Sequence, residues 1–200
     1  MPKIDAPTLA EHRAKVLDGL VDAAERIMRD QGVDALTAGE VCAAVGIARG
    51  GLYRYVGSGD DLKGLVVARH LPAWTDAVAA ALEGVEAPRD RLLTWVSANL
   101  ARAKASGHGW LIGLSRSTLR DKVPHADLDG AHSALGETCA AAWRALAPEH
   151  ARSLTQLTSA MVNAGFAQLD AGVPLAEVDH VTTGAVAAMI DRFAPGADEP

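Results

Sequence analysis

Cysteine is scarce in this chain, which contains Cys42 and Cys139 and no CxxC pair. Two isolated cysteines do not form a disulfide framework, so we interpret both as reduced, small core residues rather than as a redox pair. The seven histidines are scattered, with no His-x-x-x-His or His/Cys cluster, and we therefore expect no metal site. Ser115 and Ser117 lack a nucleophile-elbow context, and no glycine-rich loop follows a strand, so we expect no cofactor and no catalysis.

Long hydrophobic runs are also missing. No stretch of uncharged apolar residues is long enough to span a bilayer. The start, MPKIDAPTLAEHR, is too polar for a signal peptide, so we expect a cytoplasmic protein with no membrane partner.

Positive charge is in deficit, since the net charge is −6. Residues 1–70 carry nine Lys/Arg and ten Asp/Glu, whereas residues 41–59 carry two arginines and no acid. Any nucleic acid contact is therefore expected to depend on close contacts in that stretch rather than on long-range steering.

The apolar residues recur at helical spacing, and alanine dominates them, so the sequence predicts an all-α fold. Gly32, Gly46 and Gly172 are expected to end helices, and Thr37 with Glu40 forms a capping-box pair. Pro72 predicts a kink or break. A fourth helix is predicted to begin at about residue 58 and to kink or break near residue 70. The other predicted helices cover about 10–30, 38–44, 48–54, 88–105, 110–119, 131–146, 148–171 and 174–193. Residues 121–130 are predicted to form a loop.

Residues 37–62, TAGEVCAAVGIARGGLYRYVGSGDDL, have the layout of a helix-turn-helix, in which a short second helix enters the DNA major groove. The stretch resembles the TetR family of one-component repressors. The resemblance rests on residues at matching offsets: Gly46, Gly50, Leu52, Tyr53, Tyr55, Ser58, Asp60, Asp61 and Leu62. The resemblance covers the N-terminal third of the chain. The remaining two thirds resemble the family only in being a helical domain of the expected length.

The resemblance implies that the short helix binds operator DNA. Arg49 and Arg54 would contact a base edge or a phosphate, and the hydroxyls of Tyr53 and Tyr55 would contact phosphates. We expect Tyr55 to be exposed, whereas Tyr53 has packing on the first helix as an alternative. The predicted DNA-binding residues are Thr37, Arg49, Gly50, Gly51, Tyr53, Arg54, Tyr55 and Lys63.

Several positions depart from the family pattern and remove polar groups. Ala48 replaces a usual Ser or Thr, and Gly59 replaces the Lys of a Ser-Lys pair. Gly51 stands at a position where the family often has Thr or Ala. Val56 stands where the family has the Phe that closes the aromatic run. Lys63 is a candidate replacement for the missing cation, and an N-terminal arm adds further candidates for phosphate contacts, namely Lys3, Arg13 and Lys15.

The resemblance also implies a small-molecule effector inside the helical domain that changes the separation of two recognition helices. The predicted pocket residues are Trp95, Trp110, Trp143, Met161 and Phe166, for each of which plain core packing is the alternative. Asn163 and Gln168 are candidates for polar contacts, with the surface as the alternative.

Small and apolar residues on the last two helices predict a homodimer interface, with packing inside one subunit as the alternative. The predicted interface residues are Leu157, Met161, Ala164, Gly165, Val181, Ala185, Ala188 and Met189.

The sequence thus predicts a three-helix helix-turn-helix domain at residues 1–60, followed by a larger helical ligand-binding and dimerisation domain at residues 61–195. The leading hypothesis is a dimeric, ligand-responsive repressor that binds operator DNA and is released by a small apolar effector. The alternative is a helical small-molecule or protein-binding module whose degenerate helix-turn-helix no longer binds DNA. A small helical enzyme is a third possibility that has only an apolar pocket in its favour.

Overall fold

The computed structural model describes residues 9–107 and 126–195, and these two ranges contain helices and turns but no strand. The all-α prediction is confirmed. The α-helices in these ranges are α1 (Leu9–Gln31), α2 (Ala38–Val45), α3 (Gly59–Ala81), α4 (Pro88–Ser106), α5 (Ala126–Leu146), α6 (Ala151–Asp170) and α7 (Leu175–Phe193). None of them is both long enough and apolar enough to cross a membrane.

The chain divides into two compact units inside α3. Among the described residues, 9–69 form the first unit, and 70–107 with 126–195 form the second. The domain boundary predicted at residue 60 stays a prediction. The short helix predicted at 110–119 lies outside the described residues.

Helix ends in the first unit follow the sequence signals. Gly32 has φ of 92° directly after α1, and Gly46 has φ of 75° directly after α2, a conformation that glycine adopts without steric cost. The Thr37 hydroxyl accepts a hydrogen bond from the Glu40 amide at 3.3 Å and donates one to the Glu40 carboxylate at 2.9 Å. The helix ends predicted at Gly32 and Gly46 and the cap predicted at Thr37 are therefore confirmed.

The helix predicted at 48–54 is a 3₁₀ helix, Arg49–Arg54, rather than an α-helix. Gly50 and Gly51 have low α-helix propensity, and the Gly51 amide bonds to the Ala48 carbonyl three residues back at 2.6 Å. We call Arg49–Arg54 the recognition segment.

Helix α3 begins with a side-chain cap and continues past its proline. The Ser58 hydroxyl accepts from the Asp61 amide at 3.1 Å and donates to the Asp61 carboxylate at 2.9 Å. The helix runs to Ala81 with Pro72 inside it. Of the kink or break that was predicted near residue 70, the break is therefore wrong, and the kink stays a prediction.

Helix α4 lies at the centre of the second unit and packs against α5, α6 and α7. Its buried Asn99 accepts a hydrogen bond from the Trp74 indole at 2.9 Å. Pro88 occupies the first turn of α4, as predicted. Helix α5 begins at Ala126, so residues 126–130 are helical and the loop predicted at 121–130 is wrong for that part.

Gly165 is buried where α6 comes close to α4 and α7. A Cβ atom built at Gly165 would lie 2.6 Å from Cδ2 of Leu100 and 3.2 Å from Cγ1 of Val178. The prediction that Gly165 lies in a dimer interface is therefore corrected, because this glycine packs inside its own protomer. The absence of a side chain is what allows these helices to approach closely.

Gly165→Ala is expected to lower the free energy of unfolding by about 1–3 kcal/mol, because the added methyl group overpacks a site whose Leu100 neighbour is fully buried. Gly136→Ala in α5 is the matched control, since a Cβ there has no neighbour within 4 Å. The control is expected to be neutral or to stabilise by up to about 1 kcal/mol. Urea unfolding followed by circular dichroism at one protein concentration measures both, and equal effects would contradict the packing argument.

Candidate nucleic-acid interface

The recognition segment is held by the buried side chain of Leu52 and by a hydrogen bond from the Cys42 thiol of α2. Leu52 is 1% exposed and anchors the segment in the core of the first unit. The buried Cys42 thiol donates to the Arg49 carbonyl at 3.7 Å, and the Ile47 amide donates to the Cys42 carbonyl at 3.0 Å. Cys42 thus acts as a core residue that fixes the start of the segment.

Helix α1 holds the other end of the segment. The Arg13 guanidinium donates to the Arg54 carbonyl at 2.9 Å. Arg13 therefore supports the segment, in addition to being a predicted phosphate contact in the N-terminal arm. Lys15 of that arm is exposed, and Lys3 lies outside the described residues.

The exposure of Tyr53 agrees with its predicted role, whereas the exposure predicted for Tyr55 is wrong. Tyr53 is 62% exposed, so packing on the first helix does not hold it, whereas Tyr55 is half-buried. Tyr55 is the residue that follows the 3₁₀ helix, where the chain turns back towards the buried Val56. A ring that projects into solvent from a rigidly anchored segment is available to a partner.

The recognition segment carries two exposed guanidinium groups. Arg49 and Arg54 are exposed, and within residues 9–107 and 126–195 no ion pair is recorded for either side chain. Lys63 is different, because its ammonium pairs with Asp60 at 3.2 Å and its side chain is 17% exposed. The ammonium that was predicted to contact phosphate is thus paired with a carboxylate of its own helix, and the phosphate contact of Lys63 stays a prediction. The Thr37 hydroxyl is likewise engaged with Glu40.

A groove opens beside the recognition segment, with a volume of about 560 Å³. It is lined by Ile47, Ala48, Gly50, Gly51, Arg54 and Tyr55. Sequence reasoning identified Gly50, Gly51, Arg54 and Tyr55 but treated Ala48 only as a lost polar group, and it omitted Ile47. No sequence pattern marked Ile47 as part of a groove, because an apolar residue after a helix-ending glycine predicts ordinary core packing.

The predicted pocket residues lie mostly in the core of the second unit. Trp95, Trp143 and Phe166 are at most 2% exposed. The Trp143 indole donates to the Thr158 hydroxyl at 2.9 Å, and the ring of Phe166 meets the ring of Trp74 edge-on at 5.7 Å. These contacts are core packing, which was the alternative for each residue.

Three other predicted effector residues have different surroundings. Met161 is half-buried and Gln168 is exposed. The Asn163 side-chain oxygen is buried and has no hydrogen-bond partner among the described residues. Trp110 lies outside those residues.

An exposed apolar face runs along α6 and α7. Leu157 is 54% exposed and Val181 is 61% exposed, and neighbouring exposed apolar residues are a feature of contact surfaces. The other predicted interface residues apart from Gly165 are exposed or half-buried: Met161, Ala164, Ala185, Ala188 and Met189. We call these residues together with Leu157 and Val181 the apolar face.

Comparison with known proteins gives one family match. The family model for bacterial regulatory proteins of the tetR family matches residues 20–62, which include α2 and the recognition segment. No curated protein sequence matches the chain.

Solved structures share the fold at low sequence identity. AibR, solved with isovaleryl coenzyme A and operator DNA, is 14% identical with a TM-score of 0.61, and the match covers 90% of this chain and 98% of AibR. The TetR-family regulator PfmR from Thermus thermophilus is 15% identical with a TM-score of 0.57, covering 86% of this chain and 97% of PfmR. RolR, solved with resorcinol, is 17% identical with a TM-score of 0.56, covering 96% of this chain and 97% of RolR.

Residues 20–62 therefore carry the helix-turn-helix sequence of the TetR family, and the described helices have the fold of TetR-family transcription regulators.

Proposed function

We propose that this chain is a cytoplasmic, ligand-responsive transcriptional repressor that binds operator DNA as a homodimer and performs no catalysis. The observation that carries the proposal is the recognition segment itself, where Arg49, Tyr53 and Arg54 are exposed on a backbone that is anchored at both ends. Guanidinium and phenol groups on such a segment suit phosphates and base edges. The family match over residues 20–62 supports the same assignment.

The dimer in this proposal uses the apolar face on α6 and α7. Exposed Leu157 and Val181 would be removed from water in the contact, and the small residues beside them allow two helices to approach closely. A two-fold dimer presents two recognition segments to two half-sites, as a palindromic operator requires.

The proposed effector is a small apolar molecule that binds in the second unit and releases the DNA. Asn163 supports this part, because a buried amide oxygen without a partner among the described residues carries a desolvation cost that a ligand donor would remove. AibR was solved with an acyl coenzyme A and RolR with resorcinol, so proteins of this fold accept small organic ligands.

The alternative, a helical binding module that no longer contacts DNA, is supported by the net charge of −6 and by the paired state of Lys63. A salt-titrated gel shift separates the two functions. The probes are the DNA upstream of the chain's own gene and a pool of random-sequence duplexes. The repressor hypothesis predicts an enriched palindromic duplex, and failure to enrich any duplex at low salt would support the alternative.

Arg54→Ala is expected to flatten the slope of log affinity against log salt by about one unit per half-site, hence about two units per dimer. Lys63→Ala is the matched control and should leave the slope unchanged, because Asp60 already neutralises this ammonium. Equal slopes for the parent protein and Arg54→Ala would show that this guanidinium does not reach a phosphate.

A further inference from the structure

The groove beside the recognition segment has a lining that cannot read DNA by side-chain hydrogen bonds along most of its length. Ile47, Ala48, Gly50 and Gly51 have no polar side-chain atoms, and the Gly51 amide is already bonded to the Ala48 carbonyl at 2.6 Å. Polar side-chain groups are confined to Arg54 and Tyr55. The side chains along most of the groove therefore suit an apolar group of a partner.

The charge around the groove favours an anionic partner. Residues 41–59 contain Arg49 and Arg54 and no acid, and both guanidinium groups are exposed. An apolar cleft lined by the exposed Arg54, with Arg49 on the same short segment, suits a polyanion that carries apolar groups at its surface. Double-stranded DNA meets both conditions, because phosphates flank a major groove in which one of the bases presents a methyl group.

That apolar group is the C5 methyl of thymine, the one hydrocarbon group that the four base pairs present in the major groove. We propose that the Ile47–Ala48–Gly50–Gly51 wall of the groove binds a thymine methyl group in each operator half-site. The proposal rests on the DNA-binding function above and adds a specificity element to it. Arg54 contacts the neighbouring base or phosphate at the exposed edge of the groove.

Gly50 keeps the groove open. A Cβ atom built on Gly50 has no neighbour within 4 Å, so an alanine fits there without disturbing the fold. At Gly51 a Cβ atom would lie 3.5 Å from Cδ1 of Ile47, which is ordinary contact within the wall. The methyl group of Gly50→Ala would therefore occupy space that the proposal assigns to the base.

Deoxyuridine tests the contact directly, since it removes the methyl group and keeps every hydrogen-bonding atom of thymine. The probe is the duplex that the full-length chain enriches from the random pool, resynthesised with one thymine at a time replaced by deoxyuridine. Replacement of the contacted thymine in one half-site is expected to weaken binding about fourfold, the factor for one buried methyl group. Replacement in both half-sites should weaken it about 15-fold. Deoxyuridine at the remaining thymines should have no effect.

Protein variants then locate the contact in the groove. Gly50→Ala should bind thymine and deoxyuridine duplexes with equal, reduced affinity. Gly59→Ala is the matched control, because a Cβ there also has no neighbour within 4 Å and Gly59 does not line the groove. It should keep the parent's discrimination between thymine and deoxyuridine. Thermal unfolding of both variants checks that each is folded.

The outcomes separate this inference from the proposed function. If a duplex is bound but no thymine can be replaced with a loss of affinity, the thymine contact is refuted and the repressor assignment stands. The same holds if Gly50→Ala retains the parent's discrimination. If the chain enriches no duplex at all, the DNA-binding function fails and this inference fails with it.

Discussion

Tyr53→Ala and Arg49→Ala are each expected to weaken operator binding by a factor of about 100 or more, with little change in protein stability. A hydrogen bond to a charged group is worth about 1.5–3 kcal/mol, and a two-fold dimer loses it in both half-sites. The combined loss of about 3–6 kcal/mol gives that factor. Tyr53 is 62% exposed and Arg49 is exposed, so the free energy of unfolding should stay within about 0.5 kcal/mol of the parent value.

Fluorescence anisotropy with the enriched duplex measures the affinities, and urea unfolding measures the stabilities. Arg29→Ala is the control for Arg49→Ala, because it removes the same charge from the same unit at a residue that pairs with Glu25 and Asp30. Tyr53→Phe separates the hydroxyl from the ring and should account for most of the loss. Full affinity in both Tyr53→Ala and Arg49→Ala would refute the assignment of the recognition segment to DNA.

The helix ends of the first unit were predictable because each depends on neighbouring residues. Gly32 and Gly46 adopt positive φ directly after their helices, and Thr37 caps α2 through Glu40 three residues on. Such local signals need no knowledge of tertiary contacts. The position of the recognition segment followed from Gly46, which ends α2, and from Ser58, which caps α3, because these two residues bound the stretch between the helices.

The character of the recognition segment was not predictable in the same way. Its 3₁₀ geometry and the exposure of Tyr53 depend on how Leu52 and Val56 enter the core, which is a tertiary effect. Nothing in the spacing of two tyrosines separated by one residue indicates which one the core will partly cover. The groove could not be predicted for the same reason, because it forms only when the fold brings Ile47, Gly50 and Tyr55 together.

Lys63 and Gly165 show what residue type alone does not reveal about the surroundings of a side chain. A lysine near a predicted DNA contact is a plausible cation, but Asp60 lies three residues before it on the same helix and pairs with it. A glycine among small residues suits a helix interface, and Gly165 does serve one, but that interface lies inside the protomer against Leu100 and Val178. The sequence pattern does not specify which neighbour the glycine accommodates.

The double substitution Leu157→Asp with Val181→Asp is expected to convert the protein to a monomer and to abolish operator binding. These side chains are 54% and 61% exposed, so the protomer should remain folded. In the proposed dimer the two substitutions would introduce four carboxylates into an apolar contact, each with a desolvation penalty of several kcal/mol. The dimer dissociation constant should rise by a factor of about 1,000 or more.

Analytical ultracentrifugation over a range of concentrations measures the association, and far-UV circular dichroism checks the helix content. Ala73→Asp, at an exposed position on α3, is the control for an added charge in the same unit and should stay dimeric. Tyr53→Ala should also stay dimeric while it loses DNA, so the two kinds of variant distinguish contact with DNA from assembly. A double variant that remains a dimer and binds the operator would show that association uses another surface. The proposed dimer contact through Leu157 and Val181 would then be refuted, and their exposure would need no partner, because single exposed apolar side chains are common on folded proteins.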